Sequence, residues 1–100
     1  MQVRFRTKQL QRCYESLTEA TREWGADVAR RYVQRVDILY ATETIEDLHR
    51  MTVLRFHPLK GNRKGQYALW LTARARLIVT FIEKAATIVW IEEVSKHYGE

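Results

Sequence analysis

The sequence predicts an α+β domain, and three observations predict it. Apolar residues recur at helical spacing from Leu10 to about Ala41, and the pattern then changes to short strand-like runs between Val53 and Ile91. A chain of 100 residues buries roughly 60–70% of its unfolded surface, enough for one core and little more. The expected architecture is a single domain over residues 1–100. In it an N-terminal strand and a helical hairpin pack on a twisted antiparallel sheet.

Val3 and Phe5 alternate with Gln2, Arg4 and Arg6, as in a strand with one buried face. Thr7 is placed to cap the helix that follows. Leu10, Cys13, Tyr14, Leu17, Thr21 and Trp24 fall at the spacing of one amphipathic helix. Gly25 ends it, having no Cβ to oppose a left-handed turn. A second helix is expected from Asp27 to Ala41, with Val28, Tyr32, Val33, Val36, Leu39 and Tyr40 on its apolar side. The short link makes the two an antiparallel hairpin. Thr44-Ile-Glu-Asp47 reads as a capping box with Asp in place of Glu, so a helical turn through Leu48 is expected. Val53 to His57 reads as a strand that Pro58 ends, because proline cannot donate to a ladder. Gly61 to Gly65 is a turn. Tyr67–Leu71, Leu77–Ile82 and Thr87–Ile91 are three further strands, rich in Ile, Val, Leu and aromatics. The polar residues from Glu92 to Glu100 are expected to leave the sheet.

The net charge of +5 is a local feature. Residues 1–54 hold nine Lys/Arg against eight Asp/Glu, and residues 77–100 hold two against four. Between them Arg55, Lys60, Arg63, Lys64, Arg74 and Arg76 occur without one carboxylate, beside His57. Such density, with a histidine and aromatics inside it, suits a surface that handles phosphate. A merely solubilising surface is the alternative.

Other classes find no support. No apolar run nears the ~18 residues that span a bilayer. The opening Met-Gln-Val-Arg-Phe-Arg has no apolar signal segment, so a cytoplasmic protein is expected. Cys13 is the single cysteine; on an apolar helix face it reads as a buried structural thiol. Three scattered histidines and one cysteine make no metal-ligand spacing, and no Gly-rich phosphate loop occurs. No metal and no cofactor are expected.

Cleaving RNA without a metal needs three things: a base for the ribose 2′-hydroxyl, positive charge for the phosphate, and an acid for the departing 5′-oxygen. The Lys and Arg of the basic segment supply the second. His57, Glu92, Glu93, His97 and Tyr98 are the candidates for the other two. Each has a plainer reading. His57 before Pro58 could only satisfy local backbone groups, the glutamates could neutralise neighbouring cations, and Arg76 could sit idle at a strand end. Trp24 and Trp90 read as core. Trp70 reads first as packing, with base stacking as the alternative.

Leu54-Arg-Phe-His57-Pro58-Leu59-Lys60-Gly61, then Gly65-Gln-Tyr67, an apolar strand and Arg76-Leu77, resembles the HigB-type toxins of the RelE/ParE superfamily. The order of elements fits as well. The ending Glu92-Glu-Val-Ser-Lys-His97-Tyr98-Gly99 resembles a tail of one branch. The resemblance implies a bacterial toxin that cleaves messenger RNA in the ribosomal A site without metal. It implies a helix-turn-helix antitoxin of the HigA type as partner, with DNA reached only through that antitoxin. By position, His57 matches the motif histidine, Lys60 the motif lysine and Arg76 the strand arginine. Better-known members end in an Asp-Tyr-His-like triplet, and here His97 and Tyr98 come several residues after Ile91-Glu-Glu-Val-Ser. Ala73-Arg-Ala75 also replaces the usual turn residue and the aromatic before the arginine. Glu93, His97 and Tyr98 therefore compete as general acid, while Arg55, Lys60, Arg63, Lys64 and Arg74 would hold RNA. The runner-up functions are a ParE-like inhibitor of DNA gyrase and a toxin fold that survives as a binding module.

Overall fold

The computed structural model describes residues 1–96; His97 and Tyr98 lie outside them. Strand β1 (Gln2–Phe5) buries Val3 and leaves Gln2 and Arg4 exposed. Thr7 caps helix α1 (Lys8–Glu15), its Oγ1 accepting the Leu10 N–H at 3.1 Å. The single helix expected through Trp24 is in fact two. Ser16 takes an extended conformation, closes α1 through its N–H on the Arg12 carbonyl, and accepts the Glu19 N–H on Oγ to start α2 (Leu17–Trp24). Ser16-Leu-Thr-Glu19 is the capping-box signature, lying inside an otherwise unbroken apolar stripe. Gly25, at φ 86°, ends α2 and opens α3 (Ala26–Ala41). The α3 core residues include Tyr32, Val36 and Leu39, and the Tyr32 hydroxyl donates to the Leu10 carbonyl at 2.7 Å.

Helix α4 (Ile45–Arg50) starts as expected, with Thr44 Oγ1 accepting the Asp47 N–H. Asp47 turns its carboxylate to Arg50 rather than back to the cap. The strand expected over Val53–His57 is absent. A 3₁₀ turn occupies Thr52–Leu54, Arg55 is left-handed (φ 46°, ψ 41°), and β2 is only His57–Pro58. Leu54 and Phe56 are both buried. Their two-residue spacing mimics a strand, although a turn delivers them. Pro58 lies within β2 rather than after it, which an edge strand permits because no donor is needed there.

Strands β3 (Tyr67–Thr72), β4 (Ala75–Glu83) and β5 (Thr87–Lys96) complete a sheet of order β1-β5-β4-β3-β2. β1 runs parallel to β5 and the other pairs are antiparallel, so the sheet is mixed rather than wholly antiparallel. The helices cover one face. There Leu10, Cys13, Ala29, Tyr32, Val36 and Leu39 meet Val3, Leu69, Leu71, Leu77, Val79, Val89 and Ile91.

β5 does not stop at Ile91. It continues to Lys96 and pairs with the start of β4 through a bulge. Val79 faces Ile91 while Ile78 faces Glu93, so Glu92 is the extra residue. A bulge resets the two-residue alternation. Glu92 and Glu93, adjacent in sequence, consequently both lie on the face away from the helices.

A candidate RNA-binding face

The outer face of the sheet collects the residues of interest in three rows, each set by strand register. The first row runs His57, Ala68, Ile78 and Glu93 across β2, β3, β4 and β5. The second is Trp70, Arg76 and Ser95, and the third is Thr80, Trp90 and Arg4. His57 and Glu93 are three strand spacings apart, about 14 Å between Cα atoms.

His57 is exposed, and its Nδ1 lies 2.7 Å from the Arg55 carbonyl. A carbonyl can only accept, so Nδ1 carries a proton, and in the neutral ring the lone pair is then on Nε2. The left-handed turn at Arg55 makes this possible, because it aims that carbonyl at a residue only two positions later. The local backbone contact weighed above is thus present, and it fixes the tautomer a base requires.

Arg63, in the 3₁₀ turn Gly61–Arg63, reaches from the β2–β3 loop to Glu93, with Nη2 donating to Oε2 at 2.8 Å. Lys60 and Lys64 are exposed and flank a cleft floored by Pro58, Leu59 and Tyr67. Arg76 is half-buried; its Nη1 donates to the Thr72 carbonyl at 2.7 Å and to that of Ala75 at 3.0 Å. Those bonds brace the guanidinium against the β3–β4 turn. Arg74 is exposed in that turn. It lies at the opposite end of β3 from Lys60–Lys64, five residue steps or roughly 17 Å away. The basic segment therefore forms two groups, one at each end of β3.

Glu92 neutralises a cation far away in sequence. Arg6 donates to its two carboxylate oxygens at 2.9 Å each, and Thr80 Oγ1 donates at 2.5 Å. The Arg6 bond, offset in part by burial, holds the Glu92 carboxyl below the ordinary carboxylate range. Arg6 also lies over the Trp90 ring, 4.2 Å from its centroid. Trp90 is consequently half-buried on the outer face, not in the core as expected. Period-2 patterning cannot tell an apolar residue facing the core from one under an arginine. Trp24 does pack against the core, edge-on to Tyr32. Trp70 is half-buried on the outer face, with Arg31 and Arg55 over its ring. Arg31 and Arg35 did not stand out in sequence, because both fit the polar flank of an amphipathic helix. Among the described residues, no three His, Cys, Asp or Glu side chains gather as metal ligands would, and no helix is long and apolar enough to cross a membrane.

The family model for RelE-like toxins of the type II toxin-antitoxin system HigB matches residues 3–93. The chain belongs to this HigB-like toxin family. As a member it is the toxin half of a type II system, and its partner is an antitoxin. No curated protein matches the chain closely. Solved structures of similar fold include a YoeB/ParE toxin from Agrobacterium tumefaciens, at 19% identity and TM-score 0.59, covering 98% of this chain and 100% of that one. YafQ from E. coli strain BL21(DE3) aligns over 94% of this chain and 90% of its own, at 15% identity and TM-score 0.65. The toxin fold in a YoeB-YefM complex from Staphylococcus aureus aligns over 98% of each chain, at 17% identity and TM-score 0.51. At such identities the shared property is the fold, helices on a mixed five-stranded sheet. The HigB-like match stops at Glu93, so it covers His57, Arg76 and Glu93 but not His97 or Tyr98.

Proposed function

We propose that this toxin is a ribosome-dependent endoribonuclease that cleaves messenger RNA by attack of the ribose 2′-hydroxyl. One observation carries the reading. On a basic outer face, a histidine with its Nδ1 proton committed to backbone stands one row from an arginine braced by two carbonyls. His57 Nε2 takes the 2′-hydroxyl proton. The 2′-oxygen then bonds to phosphorus while the bond from phosphorus to the 5′-oxygen breaks, leaving a 2′,3′-cyclic phosphate. Arg76 stabilises the charge that builds on the phosphate oxygens. Lys60, Arg63 and Lys64 hold the flanking strand, with Arg55 and Arg74 toward the other end of β3. The departing 5′-oxygen needs a proton. Glu93 is a less apt donor while it accepts from Arg63, which leaves His97 and Tyr98 as the acids we favour. The antitoxin is read as a helix-turn-helix protein of the HigA type, through which alone the toxin meets DNA.

Mapping transcript 5′ ends after induction, with and without an inhibitor that occupies the ribosomal A site, tests this. New 5′-hydroxyl ends at positions that vanish when the A site is blocked are expected. Growth arrest with intact transcripts would transfer the target to gyrase, and the absence of arrest would leave a binding module.

A further inference from the structure

Three guanidiniums converge at the free margin of β3. Strand β2 covers β3 only at Tyr67 and Ala68, so Leu69 to Thr72 has no strand neighbour on that side among the described residues. Helix α3 and the turn before β2 close in instead. Arg35, only 4% exposed, donates from Nε to the Trp70 carbonyl at 3.0 Å, and its Nη2 is buried without a partner. Arg31, one helical turn earlier, places its guanidinium 5.8 Å from the Trp70 ring centroid. Arg55, from the turn before β2, lies 5.0 Å from the same centroid. Both are exposed. Among the described residues none of the three has a carboxylate partner, and Asp27, four positions before Arg31, is turned to Arg30.

This arrangement is costly without a ligand. Burial and the Arg31 charge both lower the Arg35 pKa. The indole face offsets only part of the repulsion. Arg55 is also the only non-glycine residue at positive φ among the described residues. Strain of that kind persists where surrounding structure holds it for a purpose. The cluster adjoins the active face directly, because Trp70 is the register partner of Arg76.

We propose that Arg31, Arg35 and Arg55 around Trp70 form a second RNA-phosphate site, beside the scissile one, where the strand leaves the active face over the margin of β3. Arg31 and Arg55 bond the phosphate oxygens, and Arg35, pinned beneath, adds its charge. Cations supplied by a helix and by a separate turn can share the several oxygens of a tetrahedral anion. A planar carboxylate is better served by one guanidinium fork. The site rests on the reading of this toxin as an RNA-cleaving protein.

The test is the salt dependence of binding between the purified toxin and a labelled, 2′-O-methylated RNA oligonucleotide, read by fluorescence anisotropy. The variants are Arg31→Gln, Arg55→Asn and the double; asparagine tolerates the left-handed conformation. For single strands, losing the one phosphate contact lowers the slope of log K against log salt by about 0.7 in the double variant, and each single variant gives part of that change. Lys60→Ala/Lys64→Ala is the comparator. If its slope falls and that of the Arg31/Arg55 double does not, the RNA reading stands and this site is wrong. If neither changes, both are wrong. A double variant that keeps its RNA slope but no longer binds the antitoxin would assign the cluster to a protein carboxylate and overturn the proposal. Should the double fail to fold by circular dichroism, Arg31→Gln alone, at an exposed helical position, decides by the same slope.

Discussion

Replacing Arg76 by alanine separates transition-state stabilisation from folding and from binding. Two effects must be weighed. The guanidinium donates to the Thr72 and Ala75 carbonyls at a half-buried position. Ala75 is itself buried, so its carbonyl is not simply handed to water, and losing these bonds costs about 1–3 kcal/mol of stability. A domain of this size has a stability on the order of 5–15 kcal/mol, and Arg76→Ala therefore stays folded. Even at the low end, the unfolded fraction after such a loss is about 3%, far too small to account for a hundredfold defect. If Arg76 stabilises the charge developing on the scissile phosphate, its removal costs about 10²–10³ in rate, or roughly 2.7–4 kcal/mol of barrier. The assay is single-turnover cleavage on programmed ribosomes at saturating toxin, with affinity measured separately. The rate at saturation should fall by that factor with little change in affinity. Arg76→Lys should recover only part of it, since a point charge cannot both bond the two carbonyls and face the phosphate. Cleavage at the parental rate by folded Arg76→Ala would refute the assignment. So would a loss confined to affinity, because uniform binding of ground and transition states leaves the saturated rate unchanged.

Three other perturbations follow from the same geometry. His57→Gln can keep a donor to the Arg55 carbonyl but has no basic nitrogen; it should lose about 10²–10⁴ in cleavage rate, as His57→Ala does, and near-parental activity of the glutamine variant would reduce His57 to a positioning role. Glu92 has its folded-state pKa depressed by Arg6, so its contribution to stability is present above the ordinary carboxylate range and is lost as pH falls through the folded pKa. Glu92→Gln should flatten the acid limb of a plot of thermal midpoint against pH, and two parallel acid limbs would show that the pair is not coupled to folding. Ser16→Ala removes the cap that starts α2 and should cost about 0.5–2 kcal/mol; chemical denaturation measures it, and an unchanged midpoint would mean that packing alone sets the break between α1 and α2.

Much of this protein is legible in its sequence. The shift from a 3.6-residue to a two-residue period marks helices before strands, because each element must turn one apolar face to the core. Thr7, Gly25 and Thr44 act as helix boundaries because their chemistry is local. The segment from His57 to Gly61, with Arg76, carries the family resemblance, and its charge is what motivates the outer face as the proposed RNA site. The remainder depended on residues distant along the chain. β1 pairs parallel with β5, and Arg6 meets Glu92 across a separation of 86 residues. The bulge at Glu92 turns two consecutive glutamates to one face and lets β5 run on to Lys96. The left-handed Arg55 aligns His57 and sends its own side chain to Trp70 beside Arg31 and Arg35. Periodicity determines which side of an element is apolar. Register, bulges and edge partners are chosen by how whole elements fit together, and only the tertiary structure decides them.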